Sequence, residues 1–306
     1  MELVERAREQ RGQRRHQWIN SLVLLAGVVL GGGSLLATAQ TLRTGQAELR
    51  TSRDNVRALQ EGQVTERYAQ AVEQLGSGRR EVRAAAVYAL ERVAKDSPRD
   101  RLAIRDVLAV FVREHVRLKH APLPRFPDAP DTDVAAAMAV VARRPADPYG
   151  APRMDLHRIG VPVLRLTSPA SLAGADLAGS DLRGAHLDHV ELRGANLELA
   201  ELPGAELPGA DLRGADLRGA DLTGVQLPGV LLAGADLSDT VLTEVKLSGV
   251  DLRGVNLRGA DLRGAELDGA DLRGANLRGV QPTVQTRIRK SAKVDGTTRF
   301  GPDPSS

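Results

Sequence analysis

Residues 209–222 read GADLRGADLRGADL, a five-residue motif repeated without interruption. Working outward in both directions, a leucine stands at every fifth position from Leu172 to Leu277, 22 in all. A period of five excludes an ordinary helix, because steps of 100° per residue would scatter the leucines around its circumference. It also excludes one continuous strand, in which an odd period would send successive leucines to opposite faces. All the leucines share one interior only if the chain turns a corner in each repeat. With leucine as position 0, position −2 is small or β-branched throughout (Ala175, Ser180, Ala185, Val190, Ala195, onward to Ala275). Positions −2 and 0 both point inward, as alternation along a short strand requires. Position +2 is glycine in 18 of the 22 repeats, the exceptions being His189, Leu199, Asp239 and Glu244. Glycine marks the corner, where a positive φ is needed.

The run Gly209–Leu222 resembles the pentapeptide-repeat family, whose pattern is A(D/N)LXX. The resemblance implies a right-handed four-sided β-helix with four repeats per coil, here five and a half coils and a rod of roughly 26 Å at about 4.8 Å per coil. Its core would be a leucine column beside a column of small residues: Leu177, Leu182, Leu187, Leu192, Leu197, Leu212, Leu217, Leu222, Leu252, Leu257, Leu262, Leu272 and Leu277 among them. Such a rod is stable only when stacked, so its ends require caps. The fold class is therefore a mainly β solenoid, preceded by an N-terminal transmembrane helix and a small α-helical region.

Composition bounds the rest. Aromatic residues make up 2% of the 306, so the core is aliphatic, and the absence of cysteine excludes disulfides, thiolate metal sites and thiol chemistry. Arginine far exceeds lysine, a bias typical of high-G+C bacterial coding. Between Pro169 and Gln281 there are 18 acids and 10 bases, a net −8; against a total of +3, everything outside carries +11.

Residues 1–17 form a basic segment, and no formal charge occurs between Arg15 and Arg43. Within that gap Ile19 to Ala39 is a mostly apolar run, about 31 Å as a helix, matching a bilayer core. Residues 18–39 are expected to form a single transmembrane span, with Trp18 at its interface. Gly27-Val-Val-Leu-Gly31 is a GxxxG through which two spans would pair into a homodimer. A competing reading takes Arg14-Arg15, the apolar run and Ala37-Thr38-Ala39 as a cleaved secretory signal, which would make the chain a secreted envelope protein. The flanking arginines do not decide orientation.

Residues 40–63 are expected to form a stalk helix with a sparse heptad of Leu42, Leu49 and Val56. Residues 64–118 read as a helical adaptor of three amphipathic helices with stripes Val64-Tyr68-Val72-Leu75, Val82-Ala86-Leu90-Val93 and Ile104-Val107-Leu108-Phe111. Ser97-Pro98-Arg99-Asp100 opens the third, and Glu81 to Leu90 is similar to the second helix of HEAT-type repeats. Seven prolines between Pro122 and Pro152 make 119–153 a linker with a short helix in it. Residues 154–171, out of phase with the repeats, are expected to cap the solenoid at 172–281, and 282–306 form a basic tail that covers its far end. This order of parts is similar to membrane-associated pentapeptide-repeat proteins of high-G+C bacteria.

No phosphate loop, nucleophile motif or metal spacing is present in the sequence, so neither an enzyme nor a cofactor is expected. His186 and His189 flank Asp188, and solvated side chains explain them. Asp at −1 with Arg at +1, as in Asp211 with Arg213, reads as charge ladders on a solvent face. Some members of the family resemble duplex DNA and bind type II topoisomerases. Dealing the repeats onto four faces gives net charges of 0, −2, −3 and −3. At about one charge per 1.7 Å of duplex, 26 Å would need roughly 15. The expected function is instead a membrane-held protein-interaction or scaffolding module with an unidentified protein partner and no nucleic acid. Leu231 and Val241, which replace the usual acid at −1 on two different faces, are its candidate interaction residues.

Overall fold

The computed structural model describes residues 40, 42–43, 45–46, 48–118, 128–143 and 150–302; the expected basic segment and span at 1–39 lie outside them. The chain divides into two compact units, Met1–Thr65 and Glu66–Ser306. In the first, residues 48–65 are helical. Leu42, Leu49, Val56 and Leu59 are each more than half exposed, so this helix buries nothing of its own. Among the described residues no helix is long and apolar enough to cross a membrane.

The second unit opens with helical residues 66–75 (α1), followed by α2 (Arg80–Asp96), α3 (Arg101–Val116) and α4 (Thr132–Ala142). The turn between α1 and α2 falls at Gly76-Ser77-Gly78. Helix α2 buries Ala86, Val87, Leu90 and Val93, the spacing of one helical face. A 3-10 turn at Pro98–Asp100 delays the start of α3 to Arg101, and Ser97 Oγ donates to Asp100 instead of capping a helix amide. Helix α4 differs from a helix adrift in a linker. It packs on both α2 and α3 and buries Val134, Ala136, Ala137, Met138, Val140, Val141 and Ala142. Its small apolar residues let the neighbours close round it. Asp133 at its start is fully buried, and Arg83 Nε donates to its Oδ2 at 2.7 Å; a buried carboxylate needs such a partner.

From Met154 onward the chain winds. Residue pairs 20 apart bridge in parallel from Ser171↔Glu191 to Asn256↔Asn276, which is four pentads per coil. All 22 leucines are at most 2% exposed, and so are most −2 residues. The polar ones are satisfied inside: Ser180 Oγ donates to Leu156 O, and Thr240 Oγ1 to Leu237 O.

Residues 154–171, expected as a separate cap, are the first coil itself. Met154, Leu156, Ile159, Val161, Leu164 and Leu166 are all buried, and β1 (Arg165–Thr167) pairs in parallel with β2 (His186–Asp188). Equivalent positions here are 21 apart (Asp155↔Asp176, Gly160↔Asp181). The extra residue falls before Leu172, beside the cis Ser168–Pro169 peptide, and this one-residue insertion is what puts the pentads out of phase. Three further rungs lengthen the rod to roughly 30 Å at ~4.8 Å per coil.

The helical layer closes this end. Arg117 bridges Ile159, Leu118 N donates to Arg158 O (2.8 Å), Gly160 N to Val116 O (2.7 Å) and Ser171 N to Ala142 O (2.7 Å). At the other end α5 (Pro282–Ser291) turns across the last coil and buries Val284 and Ile288. Gln285 Nε2 donates to Val280 O and Leu277 O, and Leu277 N donates to Arg299 O. Both ends of the leucine column are thus covered.

Every +2 corner from Gly174 to Gly279 has positive φ, including His189, Leu199, Asp239 and Glu244 (φ 55 to 61°). Each of these four side chains lies along the rod over the glycine one coil on. A Cβ at Gly209 would strike the His189 ring, one at Gly219 would approach Leu199 to 2.8 Å, and one at Gly259 would strike the Asp239 carboxylate. Gly209→Ala is expected to cost more than the ~1–2 kcal/mol of an L residue in this region. Gly214→Ala, whose Cβ meets nothing within 4 Å, should cost only that. Chemical denaturation of Gly209→Ala with and without His189→Gly checks this: the excess should vanish in the double variant.

Candidate interaction surface

The rod's outward groups are the −1 and +1 side chains. An Asp or Asn at −1 accepts the backbone N–H of +1, as from Arg218 N to Asp216 Oδ1 (3.2 Å) and Glu198 N to Asn196 Oδ1 (3.1 Å). This bond holds the corners that carry Asp or Asn at −1, which is why short polar side chains recur there. Where +1 is arginine, its guanidinium doubles back onto the same carboxylate in a two-pronged pair: Arg213 on Asp211, Arg218 on Asp216, Arg253 on Asp251, Arg263 on Asp261 and Arg273 on Asp271. The charges expected to form ladders between coils are therefore chiefly paired within one repeat. Between coils, amides form ladders from Asn196 to Asp176 (2.9 Å), Asn256 to Asp236 (2.9 Å) and Asn276 to Asn256 (3.0 Å), and ion pairs join Arg193 to Asp211 and Arg218 to Glu198 (3.2 Å).

These pairs make the aspartates more acidic. The Arg273 guanidinium, opposed by partial burial and aided by the Arg273 amide, lowers Asp271 to about 2; Asp211, Asp216, Asp251 and Asp261 are lowered in the same way by their own arginines. Glu201 moves the other way, raised by burial and by Asp181 and Asp221 one coil to either side. For the aspartates the folded value lies below the unfolded one, so their stabilisation is complete above the ordinary value of 3.8 and fades as pH falls toward about 2. Acid unfolding followed by circular dichroism should set in below about pH 4, and Arg273→Gln should shift its midpoint upward.

The core leucines named from the sequence all line the interior. Leu231 and Val241 lie on different faces. Leu231 is 45% exposed, whereas Val241 is half-buried and bridged to Asp221 and Asp261 in the coils on either side. His186 Nδ1 lies 2.9 Å from Glu206 Oε2, and His189 covers Gly209, so the two rings have separate structural neighbours. Coil stacking brings together one group that spacing alone does not reveal. Asp155, His157 and Asp176 place candidate ligand atoms within 4.8 Å of one another. Arg113 already pairs with Asp155, and Asn196 donates to Asp176. Burial raises the Asp155 pKa, but bonds from His157 and Arg113 outweigh it and leave it lowered. A site that already holds a guanidinium suits a cation poorly. In the helical layer a cavity of about 290 Å³ is walled by Ile104, Leu108, Val140 and Val141, with Lys95 and Arg101 beside them.

The model of pentapeptide repeats (8 copies) matches residues 170–207, 200–232, 220–259 and 241–279. HetL, a pentapeptide repeat protein involved in heterocyst differentiation regulation in the cyanobacterium Nostoc, is 31% identical over 47% of this chain and 69% of its own, with a TM-score of 0.22. The chain belongs to the pentapeptide-repeat family. A pentapeptide repeat protein from the thylakoid lumen of Arabidopsis thaliana is 32% identical over 40% of this chain and 80% of its own (TM-score 0.19). QnrB1, a plasmid-mediated fluoroquinolone resistance protein, is 15% identical over 48% and 83% (TM-score 0.27). No curated protein matches the chain.

Among the described residues, the pentapeptide-repeat rod has one place where its wall is not closed. Gly229, Leu232, Gly234 and Asp251 lack the coil-to-coil amide bonds that their counterparts make, for example Gly209 N to Pro228 O (2.8 Å) and Leu212 N to Leu231 O (2.8 Å), although Gln226 still bridges Lys246 beside them. A crevice of about 890 Å³ lies there, with Leu231 on its wall.

Proposed function

We propose that the chain is a non-enzymatic, membrane-anchored scaffold whose rod binds a partner protein. The observation that carries this reading is the closure of the rod's polar groups upon one another. Its −1 aspartates are engaged by arginines and corner amides, which suits a rigid surface read by shape and charge better than acid–base chemistry. Support for the anchor comes from the charge-free apolar run Ile19–Ala39 with Trp18 at its border. The excess of arginine over lysine supports a high-G+C bacterial source. Topoisomerase binding by DNA mimicry has less support, because one face carries four aspartates or glutamates against four arginines, and three of its aspartates are clamped by arginine.

Cell fractionation with protease protection on the full-length protein tests the anchor. Full-length chain in the membrane fraction is the expected result. A shortened, soluble product beginning at Gln40 would overturn it and favour the secreted envelope reading.

A further inference from the structure

We propose that the crevice between the Leu227–Leu232 and Leu247–Leu252 segments docks an extended segment of a partner protein, one presenting an aliphatic side chain beside a lysine or arginine. This rests on the scaffold reading and names its surface.

The opening has a cause in the sequence. Residues 20 apart stack in the inner −2 columns, and elsewhere each stack contains at least one alanine, serine or threonine. Only at Val225 on Val245 and Val230 on Val250 does valine meet valine. Both lie in the one interval between coils where amide bonds are missing, although Gln226 still bridges Lys246 at the first. Extra methyl groups in a column sized for alanine push the coils apart, the usual result of overpacking. The Leu231↔Asp251 bridge is missing from an otherwise regular series, and Val250 is half-buried while the −2 residues around it are buried.

Three features of the crevice select its occupant. The N–H groups of Gly229, Leu232, Gly234 and Asp251, without a coil partner, are the kind of edge to which an extended segment adds by main-chain bonds. Leu231 and Val250 offer an apolar contact for one aliphatic side chain. Glu244, Asp251 and Glu266 stand against Lys246 alone on its lining, so the complementary segment is cationic and nucleic acid is disfavoured.

The test uses full-length protein and two labelled octapeptides, one alternating leucine with lysine and the other leucine with glutamate. Hydrogen exchange should be fast at Gly229, Leu232, Gly234 and Asp251, and slow at Leu207 and Leu212. The leucine–lysine peptide should bind saturably and slow those amides, at least tenfold more tightly than the leucine–glutamate peptide. Leu231→Asn should weaken it at least tenfold. The double variant Val230→Ala, Val250→Ala should protect the same amides without peptide and weaken binding comparably, while retaining the wild-type circular dichroism. Equal protection at Leu232 and Leu212 in the unmodified protein, or unchanged peptide binding in the double variant, would overturn the proposal. The scaffold reading fails separately, if no face of the rod contacts a protein in cells.

Discussion

Truncating Leu217 to alanine should lower the unfolding free energy by about 2–5 kcal/mol, toward the upper end of that range. Leu217 is 1% exposed and lies in the middle of the column, between Leu197 and Leu237 one coil to either side. The walls around it are held at a spacing set by amide bonds such as Leu217 N to Asp236 O (2.8 Å), not by side-chain packing alone. They cannot relax into the space left behind, so the lost transfer energy and the residual cavity both count. In a stacked array the damage also passes to both neighbouring coils. Urea denaturation should show a lower midpoint for Leu217→Ala, whereas the outward Arg218→Ala should stay within about 0.5 kcal/mol of the parent.

Removing residues 282–306 should have an effect of comparable size and a different kind. Val284 and Ile288 cover the last rungs, and Gln285 satisfies the carbonyls of Leu277 and Val280. Lys293 and Arg299 supply the next strand partners for Leu272 and Leu277. Without them a four-sided edge of unpaired amides and the end of a leucine column face water, which is a template for end-to-end association. Sedimentation velocity should show concentration-dependent oligomers in the truncated protein. Ile288→Asp, which disturbs the cover without deleting the strand partners, should lower stability by about 2–4 kcal/mol with less association.

The inward leucines, the small −2 residues and the corner at +2 were legible because each lies at a fixed offset from a visible period. Residues 154–166 were hidden by one inserted residue before Leu172 and by Met154, Ile159 and Leu164 in place of alanine. The packing of α4 was hidden because prolines on either side of 134–144 resemble those of a linker, while its apolar faces meet α2 and α3 only in three dimensions. The pairing of Asp211 with Arg213 within one repeat depends on a tight corner that turns +1 back over −1. The crevice was written in the sequence as valines 20 apart, at 225 and 245 and at 230 and 250. That spacing acquires meaning only once four pentads are known to complete one coil. Leu231 departs visibly from the acid usual at −1, but its place beside an interrupted ladder is a property of stacking.

If the rod is the contact surface of the protein, photo-crosslinking in cells will reveal it, with a benzophenone amino acid placed in the full-length chain at Leu231, at Arg218 and Glu206 on other faces, and at Tyr88 and Val110 in the helical layer. Discrete adducts with a protein from Leu231, and weaker or none from Arg218 and Glu206, are the predicted result. Adducts from Tyr88 or Val110 and from no position on the rod would contradict the account.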